Sequence, residues 1–315
     1  MTKKIIVSTI MILWFFCCLA ALYAAQGEDV VAVITELKFN KGDIQIMHPG
    51  KPAAERPAVL QSLYAGSKVQ VFNGAAATIL FTDGTRTVNV DEKNSPFEVK
   101  PGAKGASGSG RLKDVANTLL GKKTSSNFVA LAVRGKSRGP TLLTPRETKL
   151  LTPTPRFQWM GMEGQPSTIK VSSSNGLIWS VENIAETQIV YPASAPALQP
   201  GVQYSWSAEK RGATPEKAAF SLLNTEESRA IQARLAEIDA SDGVSKTTLA
   251  ILKGSFLISK ALYYDAREIL LQAAKADPEE PTLHFLLGEL YDKTGLKSLA
   301  QEEYSEAQLL GSKKP

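Results

Sequence analysis

Two consecutive segments near the end of the chain repeat each other at an interval of 34 residues. When Thr247–Glu280 is aligned with Pro281–Lys314, four pairs coincide: Gly254 with Gly288, Ala266 with Ala300, Leu270 with Tyr304 and Ala273 with Ala307. An interval of this length corresponds to one pair of helices, and small residues are needed where helices cross closely. The repeat therefore predicts two stacked helix pairs, with Gly288 and Ala300 at the contact inside the second pair.

The second unit, with Leu287-Gly288, Tyr291, Ala300, Tyr304 and Ala307, resembles the tetratricopeptide repeat. The resemblance implies a groove lined by the first helix of each unit, and grooves of this family bind peptides or other proteins. The groove positions carry over to Ile251, Ser255, Ile258, Phe285, Glu289 and Asp292. A domain that only packs against the rest of the chain is the alternative.

Two units are fewer than the three that a stable helical stack usually needs. A predicted helix, Glu226–Ile238, precedes them and is expected to pack against the first unit. This helix, a β domain or a second chain must cover the open face of the stack.

Residues 30–99 contain short alternating segments, among them VVAVITELKF, DIQIMH, KVQVF and ATILF, with turn signals about every ten residues. This spacing is typical of an all-β sandwich or roll. In ILFTDGTRTV, Asp83-Gly84 between alternating runs predicts a tight hairpin with a type I′ turn.

This region resembles the extracytoplasmic domain of the ferric-citrate-regulator (FecR) type, on the segments LYAGSKVQV, AAATILFTDGTRTVNV and FVALAVRG, from about Val30 to Gly135. Members of that family are periplasmic sensing or binding modules, some attached to regulators of sigma factors. This chain departs from those regulators because only four residues precede its apolar N-terminal segment. Transmembrane signalling by this chain alone is therefore not expected.

Residues 141–222 predict a second set of strands, which holds Trp159, Trp179 and Trp206. The segment LQPGVQYSW resembles the corner of fibronectin type III and immunoglobulin-like domains, where a tyrosine returns its hydroxyl to the backbone. Tyr204 is the candidate for that role. The tryptophans alternate with polar residues as core positions do, and stacking on sugar rings is the alternative.

Residues 100–140 carry nine Lys or Arg residues and one acid, Asp114. The start of this segment is rich in Gly, Ser and Lys, a composition typical of a joint between domains. The run RLKDVANTLL is compatible with a short helix. The expected basic surface comprises Lys104, Arg111, Lys113, Lys122 and Lys123. It could contact anionic lipid, lipopolysaccharide or cell-wall polymer, and a solvated linker is the alternative.

The N-terminus has Lys3 and Lys4 followed by an uncharged segment, Ile5–Ala25. This pattern predicts export, with residues 1–25 acting as a cleaved signal peptide or as an inner-membrane anchor. Both cysteines of the chain, Cys17 and Cys18, lie in that segment. Residues 26–315 therefore hold no disulfide, no thiolate nucleophile and no cysteine metal site.

Catalytic motifs are not evident in the sequence. His48 and His284 are the only histidines, and neither has a second metal ligand at a recognisable spacing. We expect no metal, no cofactor and no nucleic-acid partner. A glycoside hydrolase that uses two of the carboxylates is a remaining enzymatic alternative.

The expected fold class is multidomain: two all-β domains followed by an all-α helical domain. The boundaries are 1–25 for the N-terminal segment, 26–100 for a FecR-like β-roll or sandwich, 101–140 for the basic joint with a returning strand, 141–224 for an immunoglobulin- or fibronectin-III-like sandwich, and 225–315 for the tetratricopeptide-like domain. The expected function is that of a non-enzymatic adaptor of the periplasm or cell envelope. It would bind another envelope protein through the repeats and peptidoglycan or an anionic polymer through the β domains. The alternative is an extracytoplasmic ligand sensor that feeds a membrane regulator.

Overall fold

Strands dominate the first two thirds of the chain and helices the last third. The computed structural model describes residues 30–84, 86–101, 112–122, 140–161, 163–210 and 215–312. Within these ranges, fifteen strands and one short helix precede five consecutive helices. The coarse prediction of a β part followed by an α part is thereby confirmed. The predicted strand FVALAVRG lies outside the described residues, as do Lys104, Arg111 and Lys123.

The N-terminal β unit consists of two small antiparallel sheets. Its strands are β1 (Val30–Lys38), β2 (Asp43–Met47), β3 (Ser62–Tyr64), β4 (Lys68–Phe72), β5 (Ala76–Phe81), β6 (Thr87–Val90) and β7 (Phe97–Glu98). One sheet has the order β3-β1-β5-β6 and the other the order β2-β4-β7.

Side-chain alternation builds the core between these two sheets. Ile44 and Ile46 of β2 are fully buried between partly exposed neighbours, as expected of a strand with one solvated face. Strand β1 differs, because both of its faces are covered. Ile34 belongs to the core inside the β unit, whereas the adjacent Val33 belongs to a second core that it shares with the helices.

The hairpin expected around Asp83-Gly84 is formed by β5 and β6, with Leu80 opposite Thr87. Its turn is longer than predicted. The backbone N–H of Phe81 donates to the carbonyl of Arg86 at 3.1 Å, so four residues, not two, form the loop. Gly84 has a φ of +67°, whereas Asp83 is not among the residues of positive φ. The expectation of a type I′ turn was therefore wrong.

The second β unit spans residues 141–222. Its strands are β8 (Thr141–Thr144), β9 (Thr148–Leu150), β10 (Arg156–Met160), β11 (Ser167–Ser173), β12 (Gly176–Ile184), β13 (Gln188–Val190), β14 (Gln203–Glu209) and β15 (Ala218–Leu222). They form a sheet of order β13-β10-β8 and a sheet of order β12-β11-β14-β15-β9.

Aromatic residues fill the core of the second unit. Trp159 and Trp206 are almost fully buried around Phe157, and Trp179 packs at the edge of the same cluster. The prediction that these tryptophans are core residues is confirmed for the first two. The hydroxyl of Tyr204 accepts a hydrogen bond from the backbone N–H of Gln199 at 2.7 Å, as the corner motif predicted.

The helices are α1 (Lys113–Leu120), α2 (Thr225–Asp239), α3 (Lys246–Ser259), α4 (Tyr263–Ala276), α5 (Pro281–Lys293) and α6 (Lys297–Ser312). Side-chain caps start three of them: Asn224 begins α2 with a capping box, Ser245 begins α3, and Glu280 begins α5 ahead of Pro281. Helices α3 and α4 form one antiparallel pair, and α5 and α6 form the next.

The repeated glycines lie where the two helices of each pair touch. A Cβ added to Gly254 would come 2.6 Å from the Leu270 side chain, and one added to Gly288 would come 2.6 Å from the Tyr304 ring. Both pairs of residues are related by the 34-residue interval. The contact that the repeat predicted is therefore present in both units.

Candidate partner-binding groove

Helix α1 packs on α3, the first helix of the first pair, and on the N-terminal β unit. It contacts α3, β1 and β5, and its apolar residues join a core that includes side chains of the N-terminal β unit and of α3 to α6. The residues that α1 and its N-cap contribute to this core are Leu112, Val115, Ala116 and Leu119. Their spacing of three, four and seven residues places them on one face of a helix. The short helix expected in the basic joint is confirmed, and it is part of the core.

An ion pair fixes the end of this segment to the second repeat. Nζ of Lys122 lies 2.5 Å from Oε2 and 2.7 Å from Oε1 of Glu289 on α5. Only 9% of the Lys122 side chain and 19% of the Glu289 side chain are exposed. Lys122 was expected on a basic surface and Glu289 in a groove, and the structure brings the two predicted sites together. Of the two described residues of the predicted basic surface, Lys113 has an exposed side chain and Lys122 does not.

The predicted groove positions differ in exposure. Of the predicted groove positions, Ile251, Ser255, Ile258 and Phe285 are all buried. Asp292 is exposed and pairs with Lys297, whose Nζ lies 2.6 Å from its Oδ1. Phe285 packs on Tyr304 inside its own helix pair, with 5.7 Å between the ring centroids, and α1 packs on α3. We call the surface of α3 on which α1 packs, together with Glu289 of α5 beside it, the groove.

The N-terminal β unit also contacts the N-terminal ends of α3 and α5. The buried carboxylate of Glu36 accepts hydrogen bonds from the hydroxyls of Ser245 and Thr248. The backbone N–H of Leu37 donates to Glu280 at 3.0 Å, and that of Thr282 donates to the other oxygen of Glu280 at 3.0 Å. These contacts join a strand to two helices through buried carboxyl groups that accept from backbone and hydroxyl donors.

Burial and neighbouring charges shift two pKa values at this junction. Burial raises the pKa of Glu280 to about 8, against the opposing effect of its backbone donors. Burial of Lys38 disfavours its charge, but Asp277, 3.2 Å away, outweighs that effect and raises the pKa of Lys38. A cavity of about 330 Å³ lies beside this junction. It is lined by Glu36, Lys38, Thr78, Thr87, Asn89 and Ser245, among others.

The second β unit contacts the opposite ends of the same helices. Lys149 donates its backbone N–H to the carbonyl of Ala261 at 2.9 Å, just beyond α3. Nε of Arg146 donates to the carbonyl of Thr294 at 2.7 Å, just beyond α5. Asp265 accepts from the backbone N–H of Leu151, and burial raises the pKa of Asp265 to about 6. The helical pairs are therefore held between the two β units.

Neither histidine joins a metal-binding cluster. His48 lies between Ser67 at 3.1 Å and Glu55 at 2.9 Å, and His284 lies between Glu303 and the carbonyl of Pro278. Among the described residues, no group of three His, Cys, Asp or Glu side chains could hold a metal ion. No helix within the described ranges is long and apolar enough to cross a membrane.

Comparison with known proteins leaves this arrangement without a family assignment. A scan against protein-family models finds no match, and a search of curated proteins finds no match either.

Sequence reasoning missed the contact between α1 and the repeats. The apolar spacing of residues 112, 115, 116 and 119 is visible in the sequence and indicates a helix with one buried face. The surface that buries this face belongs to residues far along the chain, with 167 positions between Lys122 and Glu289. The contacts of Glu36 with Ser245 and of Leu37 with Glu280 were missed for the same reason.

Proposed function

We propose that this chain is a non-enzymatic adaptor of the cell envelope that binds a partner protein through its repeated helix pairs. The observation that carries the proposal is that the first repeat already packs against an amphipathic helix: four apolar side chains on one face of α1 are buried in a core shared with α3, and Glu289 of α5 pairs with the lysine that follows. A surface that buries one amphipathic helix has the shape and chemistry to bind another.

The sequence resemblances support the location and the partner. The N-terminal pattern favours export, the resemblance to FecR-type domains favours an extracytoplasmic β module, and the resemblance to tetratricopeptide repeats favours recognition of a peptide or protein. Contact of the β units with peptidoglycan or an anionic polymer is part of the proposal.

Photo-crosslinking in living cells tests the adaptor. A photoreactive residue at position 292 lies at an exposed predicted groove position, and one at Leu309, also exposed, lies on α6. We expect one dominant protein adduct from position 292, its loss in a Glu289→Lys variant, and its retention in a Glu302→Lys variant, which makes the same charge change at an exposed site. An exported, folded chain that gives no adduct from 292, or the same adduct from 309, would contradict the proposal.

A ligand sensor is the second candidate function, favoured by the cavity of about 330 Å³ at the junction of the β unit and the helices. Ligand sites commonly have volumes of about 300–1,000 Å³ and often lie between domains. A small polar molecule held there would touch Glu36 of β1 and Ser245 at the start of α3. A compound that raises the melting temperature of the chain, but not that of an Asn89→Trp variant with a filled cavity, would support the sensor.

A further inference from the structure

Helix α1 has the design of a helix that docks into a groove. Its N-cap Leu112 and three residues of the helix, Val115, Ala116 and Leu119, form a single apolar face and are each at most 4% exposed. The opposite side carries Lys113, Asp114 and Asn117, which are exposed. Apolar anchors at positions i, i+3, i+4 and i+7 are the pattern by which grooves recognise amphipathic helices.

The charges around α1 give the groove a direction. Near the start of α1, Arg234 of α2 lies 3.9 Å from Asp114, and beyond its end Glu289 of α5 pairs with Lys122. A helix that docks here therefore carries an acid near its N-terminus and a base near its C-terminus. This order also matches the helix dipole, which is positive at the N-terminus and negative at the C-terminus.

Several features make α1 a weak occupant. It has eight residues, fewer than a helix needs to be stable by itself, and its N-cap residue Leu112 makes no side-chain capping bond. A longer and better-capped helix would gain what α1 lacks.

We propose that α1 is the resident occupant of the groove and that the partner protein replaces it with a helix of the same chemistry. That helix has apolar residues at i, i+3, i+4 and i+7, an acidic residue in its first turn, and a Lys or Arg three positions after the last apolar residue. This inference rests on the proposed adaptor function, for which it names the class of partner and the contact that the partner must displace.

A peptide-exchange experiment with the full-length chain tests this inference. The probe is a fluorescein-labelled peptide of residues 112–122, with a hydrocarbon staple that replaces the exposed side chains of residues 113 and 117. The staple holds the peptide helical and so removes the ordering cost of binding. Binding is measured by fluorescence anisotropy, and circular dichroism and thermal melting verify that each chain is folded.

The ion pair between Lys122 and Glu289 provides the matched variants. In a Lys122→Glu chain, whose resident segment is repelled by Glu289, we expect the probe to bind about tenfold or more tightly than to the unchanged chain, because a desolvated charge pair largely sets the dissociation rate. A Lys113→Glu chain carries the same charge change on the exposed side of α1 and should behave like the unchanged chain. A Glu289→Lys chain should prefer a probe with the Lys122→Glu change by a similar factor.

The contrary results are equally definite. If no folded chain binds the probe, or if all chains bind both probes equally, α1 is a fixed part of the core and the inference is overturned. Should Lys122→Glu unfold the chain, Lys122→Met keeps the apolar stem, removes the charge and must meet the same expectation.

The exchange experiment is separable from the test of the adaptor. Probe exchange without an adduct from position 292 in cells would support a displaceable α1 and contradict the adaptor. An adduct that depends on Glu289, with no probe exchange, would support the adaptor and overturn displacement of α1.

Discussion

Gly84 and Lys113 are in direct backbone contact: a Cβ added to Gly84 would come 2.2 Å from the backbone nitrogen of Lys113. The turn between β5 and β6 is therefore the surface against which α1 begins. The same glycine has a φ of +67°, a conformation that residues with a side chain rarely adopt. Two independent requirements thus select glycine at this position, one from the turn and one from the contact.

Replacing Gly84 by Ala should destabilise the chain and loosen α1. The positive φ should cost roughly 1–2 kcal/mol, and the clash with the backbone of α1 should add about 1–3 kcal/mol. The measurement is the free energy of unfolding by chemical denaturation, together with amide hydrogen exchange of residues 112–122.

Gly74→Ala is the matched control for this prediction. Gly74 has a φ of +79°, and a Cβ there would meet no atom within 4 Å. The Gly74→Ala variant should therefore show the cost of the backbone conformation alone. It should leave amide hydrogen exchange in residues 112–122 unchanged. Equal destabilisation by the two substitutions would mean that the contact between Gly84 and α1 has no energetic weight.

Gly288→Ala should destabilise the second helix pair, although alanine is ordinarily the better helix former. The added Cβ would lie 2.6 Å from the ring of Tyr304, which must move within a packed core at a cost of about 1–3 kcal/mol. Gly311→Ala on α6 is the control, because nothing lies within 4 Å of its Cβ, and it should stabilise by up to about 1 kcal/mol. Thermal melts of the two variants should shift in opposite directions. If both variants melted at a higher temperature than the unchanged chain, the Tyr304 ring would have moved aside without strain.

Local patterns were sufficient to predict most elements of this fold. The strand alternation around Ile44 and Ile46, the small residues at 254 and 288, and the hydroxyl contact of Tyr204 all depend on neighbours nearby in sequence or on a regular repeat. Each could be derived because period and spacing directly specify which face is buried.

The covering of the groove could not be derived in this way. The positions Ile251 and Phe285 were identified as facing a groove, but their burial depends on which segment folds over them. Lys122 reads in sequence as one of several solvated lysines, and only the three-dimensional contact with Glu289 distinguishes it from Lys113. The prediction of a two-residue turn at Asp83-Gly84 was wrong for a similar reason. The contact of that loop with α1 is a long-range constraint that local sequence does not show.

Raising the pH should weaken the junction between β1 and α5. Burial raises the pKa of Glu280 to about 8, so the folded state holds a proton that the unfolded state releases near pH 4.5. Stability should therefore fall as pH rises from about 4.5 through 8, with a slope of at most about 1.4 kcal/mol per pH unit from this group. The neighbouring charged groups are Glu36, Lys38 and Asp277. The measurement is the melting temperature as a function of pH.

Glu280→Gln should remove this part of the pH dependence. The substitution cannot titrate, but its amide offers one acceptor oxygen where the carboxyl accepts from both Leu37 and Thr282. The variant should therefore be less stable at low pH, where the native carboxyl is neutral, and should lose less stability between pH 5 and 8. Parallel curves for the two proteins would show that Glu280 does not titrate in this range.

His284 should also favour its protonated form in the folded state, which here is the charged form. Nε2 faces the carbonyl of Pro278 at 3.0 Å and Nδ1 faces the carboxylate of Glu303 at 2.8 Å, so both nitrogens must donate and the ring is favoured as the imidazolium. Glu303 raises the pKa of His284 above its usual 6.5. The stabilisation from this pair should be complete below pH 6.5 and should disappear as the pH rises through the folded-state pKa.

Proton NMR of the histidine rings can measure this pKa directly, because the chain has only two histidines and a His284→Gln variant assigns the signals. Glu303→Gln removes the charge but retains an acceptor oxygen, so the pKa of His284 should fall towards its usual value. Glu302→Gln changes the adjacent exposed residue and should leave the pKa of His284 unchanged. If the pKa of His284 were unaffected by Glu303→Gln, the carbonyl of Pro278 and not the carboxylate would be the group that holds the proton on the ring.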